Sequence, residues 1–345
     1  MGKHTHYDLA QMQSLPLEAK IKMSERRIDE WYEYWDGLVY VSRSGGKDSD
    51  VLGHLVKRLH PDVPQIFVNT GLEHDSVRIH GTEVADEVLR PEMSFLEVLT
   101  KYGYPVISKE VSECVSQARM GLEKGNGYYS YRLAKLQGTA LDKNGNKSAY
   151  NQEKWGFLLE APFRISHQCC NVMKKKPAKK YAKETDRKPF IGTMANESRL
   201  RRQQWINNGC NGFDMKTPVS NPISFWTEQD ILQYIVKYGI EIADAYGDIV
   251  YEDEEGMKYF NSVFAESMHL STTKAKRTGC VFCMFGITRD TDRFLLLKEL
   301  EPKKYDYVMR GGKFDEQGMW IPHQGLGYKF VIDWLNEHGN LNIKY

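Results

Sequence analysis

The stretch Leu38-Val39-Tyr40-Val41-Ser42-Arg43-Ser44-Gly45-Gly46-Lys47-Asp48-Ser49 constrains this chain more than any other, because an apolar run rich in β-branched and aromatic residues empties into two glycines, a lysine and small polar side chains. Such a run suits a strand of a parallel sheet covered on both faces. After Asp48, apolar side chains recur at Val51, Leu52, Leu55, Val56 and Leu59, one face of a 3.6-residue period, so a helix is expected there. Strand, glycine loop and helix in succession form a phosphate cradle. The glycines let the backbone approach a ligand, the first-turn amides are unpaired donors, and Lys47 adds a cation. The spacing is not that of the usual nucleotide loop, which sets four residues between its glycines.

At 345 residues and 41% apolar, the chain can bury one large core or two ordinary ones. Its formal charge of +1 hides an asymmetry. Between Arg164 and Trp205 stand 12 lysines and arginines against 3 carboxylates, a net of +9, so the remainder carries −8. A local basic stretch in an otherwise acidic chain points to phosphate or nucleic acid at one site. No apolar run approaches the ~18 residues of a membrane span, and a cytoplasmic location is expected. Six cysteines, two of them adjacent and two spaced Cys-x-x-Cys, read as metal or redox ligands more readily than as a disulfide framework.

Two further polar loops are expected at strand ends, where open α/β sheets bind ligands. Gln65 to Val68 leads into Asn69-Thr70-Gly71-Leu72-Glu73, with Asn69 and Glu73 as nucleotide or metal contacts, or Asn69 or Thr70 as a helix N-cap. Pro189 to Gly192 leads into Thr193 to Arg199, where Arg199 offers the planar fork of donors that matches phosphate. The spacing predicts helices over 17–35 and 95–102 and an amphipathic helix carrying Val111, Cys114 and Val115, with Cys114 a small buried hydrophobe. Thr227 and Asp230 form an N-cap with an acidic first turn, and the acidic run 252–255 reads as a solvated loop. The fold class is α/β: an open, mostly parallel sheet flanked by helices, with a helical C-terminal region. The expected organisation is a helical segment over 1–36, a nucleotide-binding domain over 37–215 with an insertion at about 120–160, and a mostly helical region over 216–345.

Cys280-x-x-Cys283 alone supplies half a metal site, and Cys169-Cys170, 110 residues earlier, supplies the other half. Adjacent cysteines strain a shared tetrahedral zinc more than a cubane, whose irons are separate ligand positions, so iron–sulfur is favoured.

The loop Ser44-Gly45-Gly46-Lys47-Asp48-Ser49 resembles the pyrophosphate loop of the ATP pyrophosphatases and the related sulfonucleotide reductases. That loop, Asn69-Thr70-Gly71, Cys169-Cys170 with its following lysines, Glu197-Ser198-Arg199, Asn221 to Trp226 and Cys280-x-x-Cys283 stand in the order seen in the phosphoadenosine/adenosine phosphosulfate reductase family. The resemblance covers about residues 37 to 286. It implies a nucleotide site made of Ser42, Ser44, Gly45, Gly46, Lys47, Asp48, Ser49, Asn69, Thr70, Gly71, Gly192, Glu197 and Arg199, with Lys47, Asp48 and Arg199 catalytic. It also implies a four-iron, four-sulfur cluster on Cys169, Cys170, Cys280 and Cys283. One departure limits it. Sulfonucleotide reductases take up sulfite on a C-terminal cysteine, and nothing after Cys283 is a cysteine. Relatives without that tail include the ATP pyrophosphatase component of DNA phosphorothioation systems.

The expected function is therefore ATP-dependent activation of an acceptor for sulfur transfer, with Mg²⁺-ATP as substrate and pyrophosphate released. Expected partners are DNA or another nucleic acid, a cysteine desulfurase or other sulfur donor, and a second copy of the chain. The alternatives are reduction of a sulfonucleotide with an external thiol, and a non-catalytic nucleotide and cluster sensor.

Overall fold

The computed structural model describes residues 2–125, 127–261 and 268–345. It divides into two compact units, each discontinuous in sequence: residues 1–90 with 177–278, and residues 91–176 with 279–345. The stretches 37–215 and 216–345 therefore each contribute to both units.

The first unit is built on a six-stranded sheet of β1 (Val39–Arg43), β2 (Gln65–Val68), β3 (Glu87–Leu89), β5 (Lys188–Ile191), β6 (Asn211–Gly212) and β7 (Val219–Ser220), in the order β3-β2-β1-β5-β7-β6. All neighbours are parallel except β6 and β7. The chain runs outward from β1 to β3 and returns on the other side at β5. Its strand order thus reverses between β1 and β5, the position at which such sheets open a crevice at their carboxyl ends. Helix α3 (Lys47–Leu59) follows β1 and buries Val51, Leu52, Leu55 and Val56, the face expected from their spacing. Helix α2 (Leu17–Tyr34) buries Ile21, Ile28 and Trp31 in the same core, and α10 (Glu228–Tyr238) adds Ile231, Tyr234 and Ile235. Thr227 caps α10 as expected. Asp230, which completes that cap, also accepts from buried Lys20 at 2.7 Å. A further helix, α1 (His6–Gln13), is opened by a capping box between Thr5 and Asp8. Helices α4 (Asp75–Glu83), α8 (Lys176–Thr185) and α9 (Arg199–Asn208) complete the flanks. A three-stranded sheet of β8 (Ile249–Glu252), β9 (Lys258–Tyr259) and β10 (His269–Thr272) stands in the same unit. Glu252 is buried, with Lys276 Nζ at 3.3 Å, so the acidic run is not solvated at its first residue.

The second unit carries α5 (Phe95–Tyr102), β4 (Val106–Ile107), α6 (Lys109–Lys124), α7 (Ser130–Gln137), β11 (Met284–Phe285), α11 (Arg293–Leu300), α12 (Pro302–Met309), β12 (Lys313–Phe314), β13 (Trp320–Ile321) and α13 (Tyr328–Gly339). Its core is aromatic: Tyr104 meets Phe163 and Tyr328 edge-on, and Tyr328 meets Phe294. Cys114 is fully buried on α6 with its thiol against the Arg132 carbonyl, the small hydrophobe expected. The segment from 120 to 160 belongs to this unit. Arg119 ties it down by donating to the carbonyls of Leu158, Ala161 and Phe163 at 2.7 to 2.8 Å. Among the described residues, no helix is long and apolar enough to cross a membrane.

Candidate functional site

The loop between β1 and α3 holds its shape by its own bonds. Gly45 has a φ of +70°, and a Cβ there would lie 2.5 Å from the Val77 carbonyl oxygen, so no other residue fits without displacing the backbone. The Ser49 hydroxyl accepts from the Ser44 amide at 3.1 Å and donates to the Gly46 carbonyl at 2.7 Å. Ser44 Oγ in turn accepts from the Gly46 amide at 3.3 Å. Both hydroxyls thus shape the loop. Ser42 lies half-buried in β1, paired in register with Ile66 and Ile191.

Lys47 is not the exposed cation that a loop lysine suggests. It is 2% exposed; its backbone amide donates to Tyr246 Oη, and its ammonium donates to the Lys276 carbonyl at 3.1 Å and stands 3.3 Å from Glu228. The Tyr246 hydroxyl also meets Thr278 Oγ1 at 2.6 Å. Asp48 is half-buried, and its Oδ1 has no hydrogen-bond partner, Lys47 Nζ standing 3.7 Å away. Burial pushes the Asp48 carboxyl up, and the charge of Glu228 adds to this while Lys47 and Arg277 oppose it. Beneath the loop, buried Arg43 donates to Asp50 and Gln65, and His80 Nε2 lies 3.1 Å from the other Asp50 oxygen.

At the end of β2, the expected polar residues mostly serve their own loop. Asn69 Oδ1 accepts from the Gly71 amide at 3.2 Å, and Thr70 Oγ1 donates to buried Glu73 at 2.7 Å. Neither Asn69 nor Thr70 caps a helix, since α4 starts after His74. At the end of β5, Gly192 lies under the loop. A Cβ there would sit 3.0 Å from the Asp48 carbonyl oxygen and 3.2 Å from Ser49 Cα. Glu197 accepts from the Met194 amide and pairs with Arg201, one turn along α9. Arg199 is exposed at the first position of α9. Arg201, two residues on, lies within electrostatic reach of Asp48 and Arg277; burial draws its guanidinium down and the Asp48 charge opposes that. Residues two apart on a helix do not share a face. Tyr246, Glu228, Arg201 and Arg277 were not found from sequence. Only the basic character of Arg201 and Arg277 was visible there.

In the second unit, Cys169 and Cys170 open a helical run whose first stretch, Asn171–Lys175, is π-helical, and their sulfurs lie 3.9 Å apart. The contact between the two thiols draws Cys170 down to about 6, with Lys174 and Lys109 adding to it, and raises Cys169. Burial pushes Cys283 up to about 12, and the charges of Cys280 and Cys170 act in the same direction. Cys169 feels Cys170, Cys283 and Cys280, so the four expected ligands share one neighbourhood. The Cys280–Cys283 turn is closed by the Cys283 amide on the Cys280 carbonyl at 3.0 Å. It is held by β11, which pairs with β4, by Arg293 on the Cys283 carbonyl, and by fully buried Tyr328 on the Phe282 carbonyl at 2.8 Å. Tyr328 lies 46 residues from Phe282, and no local pattern announces it. Four soft thiols with no carboxylate among them are a donor set for iron or zinc. Among the described residues, no three or more His, Cys, Asp or Glu side chains converge closely enough to hold a single metal ion.

The phosphoadenosine phosphosulfate reductase domain family matches residues 130–283, a little under half of the chain. Over those residues the chain is similar to that family. The match suggests an enzyme of sulfonucleotide-related chemistry. The family match takes in all four cysteines of the second unit and begins after the Ser44–Ser49 loop. A phosphoadenylyl-sulfate reductase from Candida auris, solved with phosphate, is similar to 75% of this chain over 98% of its own, at 13% identity and a TM-score of 0.36. No curated protein matches the chain.

Proposed function

We propose that this chain binds Mg²⁺-ATP over Ser44–Ser49, releases pyrophosphate, and so activates an acceptor for sulfur transfer. The observation that carries this reading is the loop itself. A left-handed Gly45 pressed on Val77, and a Ser49 hydroxyl bridging both ends of the turn, preform the N-terminus of a 13-residue helix at the sheet's switch point. An acceptor oxygen attacks the α-phosphorus, the bond to the β-phosphate breaks, and pyrophosphate leaves with that electron pair. A sulfide-level nucleophile then displaces AMP, which departs with the acceptor's oxygen. Asp48, with an oxygen that has no hydrogen-bond partner among the described residues, would hold Mg²⁺. Lys47, Arg201 and Arg277 supply positive charge at the phosphates, and Arg199 at the helix start remains a candidate clamp for the accepting phosphate.

Cys169, Cys170, Cys280 and Cys283 would hold an iron–sulfur cluster, which when bound supplies sulfur ligation or electron transfer. The family match favours a second reading, reduction of a sulfonucleotide by an external thiol. An anaerobic assay separates the two: pyrophosphate released from ATP supports the first, and sulfite released from phosphoadenylyl sulfate supports the second. A chain that yields neither product, with its fold intact, overturns both.

A further inference from the structure

The second unit contains a cavity of about 830 Å³, within the range of small-molecule sites and far larger than an inorganic anion needs. It lies between α5, α6 and the strand of chain that leads to the tandem cysteines. Its charged lining is Lys101, Arg119 and Arg164 against Glu123 alone, so it favours an anion. Arg119 is fixed there by three backbone carbonyls, which engage its terminal nitrogens without neutralising its charge and leave its Nε without a hydrogen-bond partner among the described residues.

Besides Arg119 Nε, two lining residues each hold a polar atom that is shut off from water and has no hydrogen-bond partner among the described residues: Gln117 Oε1 and His167 Nδ1. Their chemical identities follow from their neighbours. Gln117 Nε2 donates to Glu113, which leaves Oε1 as the acceptor. Gln168 Oε1 accepts from Asn171, so its Nε2 is a donor, and it faces His167 Nε2 at 3.1 Å. In the neutral ring Nε2 therefore accepts, and Nδ1 carries the proton. The residues that carry this unpaired acceptor and these two unpaired donors all line a cationic cavity whose walls also include Tyr102 and Tyr129. Buried polar atoms of native proteins are nearly always paired, so such orphaned atoms ask for a ligand of the opposite pattern.

We infer that this cavity is a second nucleotide site, distinct from the Ser44–Ser49 loop. It would take the donor–acceptor edge of a nucleobase at Gln117 and His167, with the phosphate at Arg164 and Lys101. The aromatic walls suit a base face, which every nucleobase presents. The chemistry is shared by a free nucleotide and by an unpaired nucleotide of a nucleic-acid strand. The inference does not depend on ATP turnover at the first unit.

The test is equilibrium binding to the full chain of the four nucleoside 5′-monophosphates, a ten-nucleotide single strand and ribose 5-phosphate, together with photocrosslinking by an azido-nucleotide. Binding should survive Lys47→Ala, fall at least tenfold in Gln117→Leu and in Arg164→Glu, and label peptides containing Tyr129 or Met319. Circular dichroism checks that the variants fold, and Arg164→Glu, at an exposed position, guards against a loss caused by core damage at Gln117. Equal affinity for monophosphates and the strand identifies a free nucleotide, while binding of the strand alone identifies an unpaired nucleotide within it. Ribose 5-phosphate binding as tightly as the monophosphates, insensitivity to both variants, or labelling confined to the Ser44–Ser49 peptide would overturn the inference.

Discussion

The Lys47 ammonium lies 3.3 Å from the Glu228 carboxylate, so the cation of the loop is already engaged by an acid from the start of another helix. A phosphate that recruits Lys47 must compete with Glu228 and with the Lys276 carbonyl. Glu228→Gln should therefore tighten binding of a non-hydrolysable ATP analogue several-fold, measured by calorimetry. Lys47→Ala should lower pyrophosphate release on the order of a hundredfold, since a preorganised charge at a reacting group is worth ~3 kcal/mol. Because Lys47 is buried with these partners, the same variant should also melt lower than the parent. Unchanged affinity in Glu228→Gln would mean that Lys47 does not move to the ligand.

Arg201 and Arg199 separate two roles on one helix. Arg201→Ala should reduce ATP turnover by roughly a hundredfold through lost charge near Asp48, whereas Arg199→Ala should change the KM for ATP by less than about threefold and act, if at all, on the acceptor. Steady-state kinetics with ATP varied at fixed acceptor reads this split, and the reverse order of effects would exchange the two assignments.

Asp48 gives a pH dependence whose sign is fixed by its burial. A carboxyl raised above its unfolded value binds its proton more readily in the folded chain, so its contribution is most favourable at low pH and is lost as pH climbs from the ordinary carboxylate range through the raised value. Asp48→Asn should then be more stable than the parent at neutral pH, with a difference that shrinks toward pH 4, while its Mg²⁺-dependent turnover disappears. Urea unfolding across that range is the measurement. A variant less stable than the parent at pH 7 would show that the carboxylate is compensated by its cationic neighbours.

For the cysteines, anaerobically isolated protein should contain iron and acid-labile sulfide in near-equal amounts. Cys280→Ser or Cys283→Ser should lose most of both, and Cys114→Ser and Cys210→Ser, at buried thiols outside the group, should retain them. One tightly held zinc, or no metal after anaerobic reconstitution, would remove the cluster from the proposed function.

What could be read in advance was local. The apolar run of β1, the glycines and the periodicity of α3 lie within some twenty consecutive residues, so strand, turn and helix were visible together. Thr5 and Asp8 carried an equally plain capping signal, which the polar character of the first residues masked. What escaped depended on distance along the chain. Tyr246 meets Lys47 across 199 residues, and Tyr328 supports Phe282 across 46; neither pairing leaves a spacing to recognise. Which arginine of α9 faces Asp48 was hidden for another reason, because a cluster of three arginines has no hydrophobic periodicity to orient it.

The position of β5 beside β1 has a consequence for synthesis. β1 pairs with β2 soon after both leave the ribosome, but its other edge waits for Lys188–Ile191, about 145 residues later. At about 5–20 residues per second, the middle of the future sheet stands half-finished for roughly 7–30 s. During that interval Val39, Tyr40 and Val41 present an unpaired strand edge, a template for association with other nascent chains. Slowing translation between β3 and β5 should thus lower the soluble yield of this chain more than slowing it after β7.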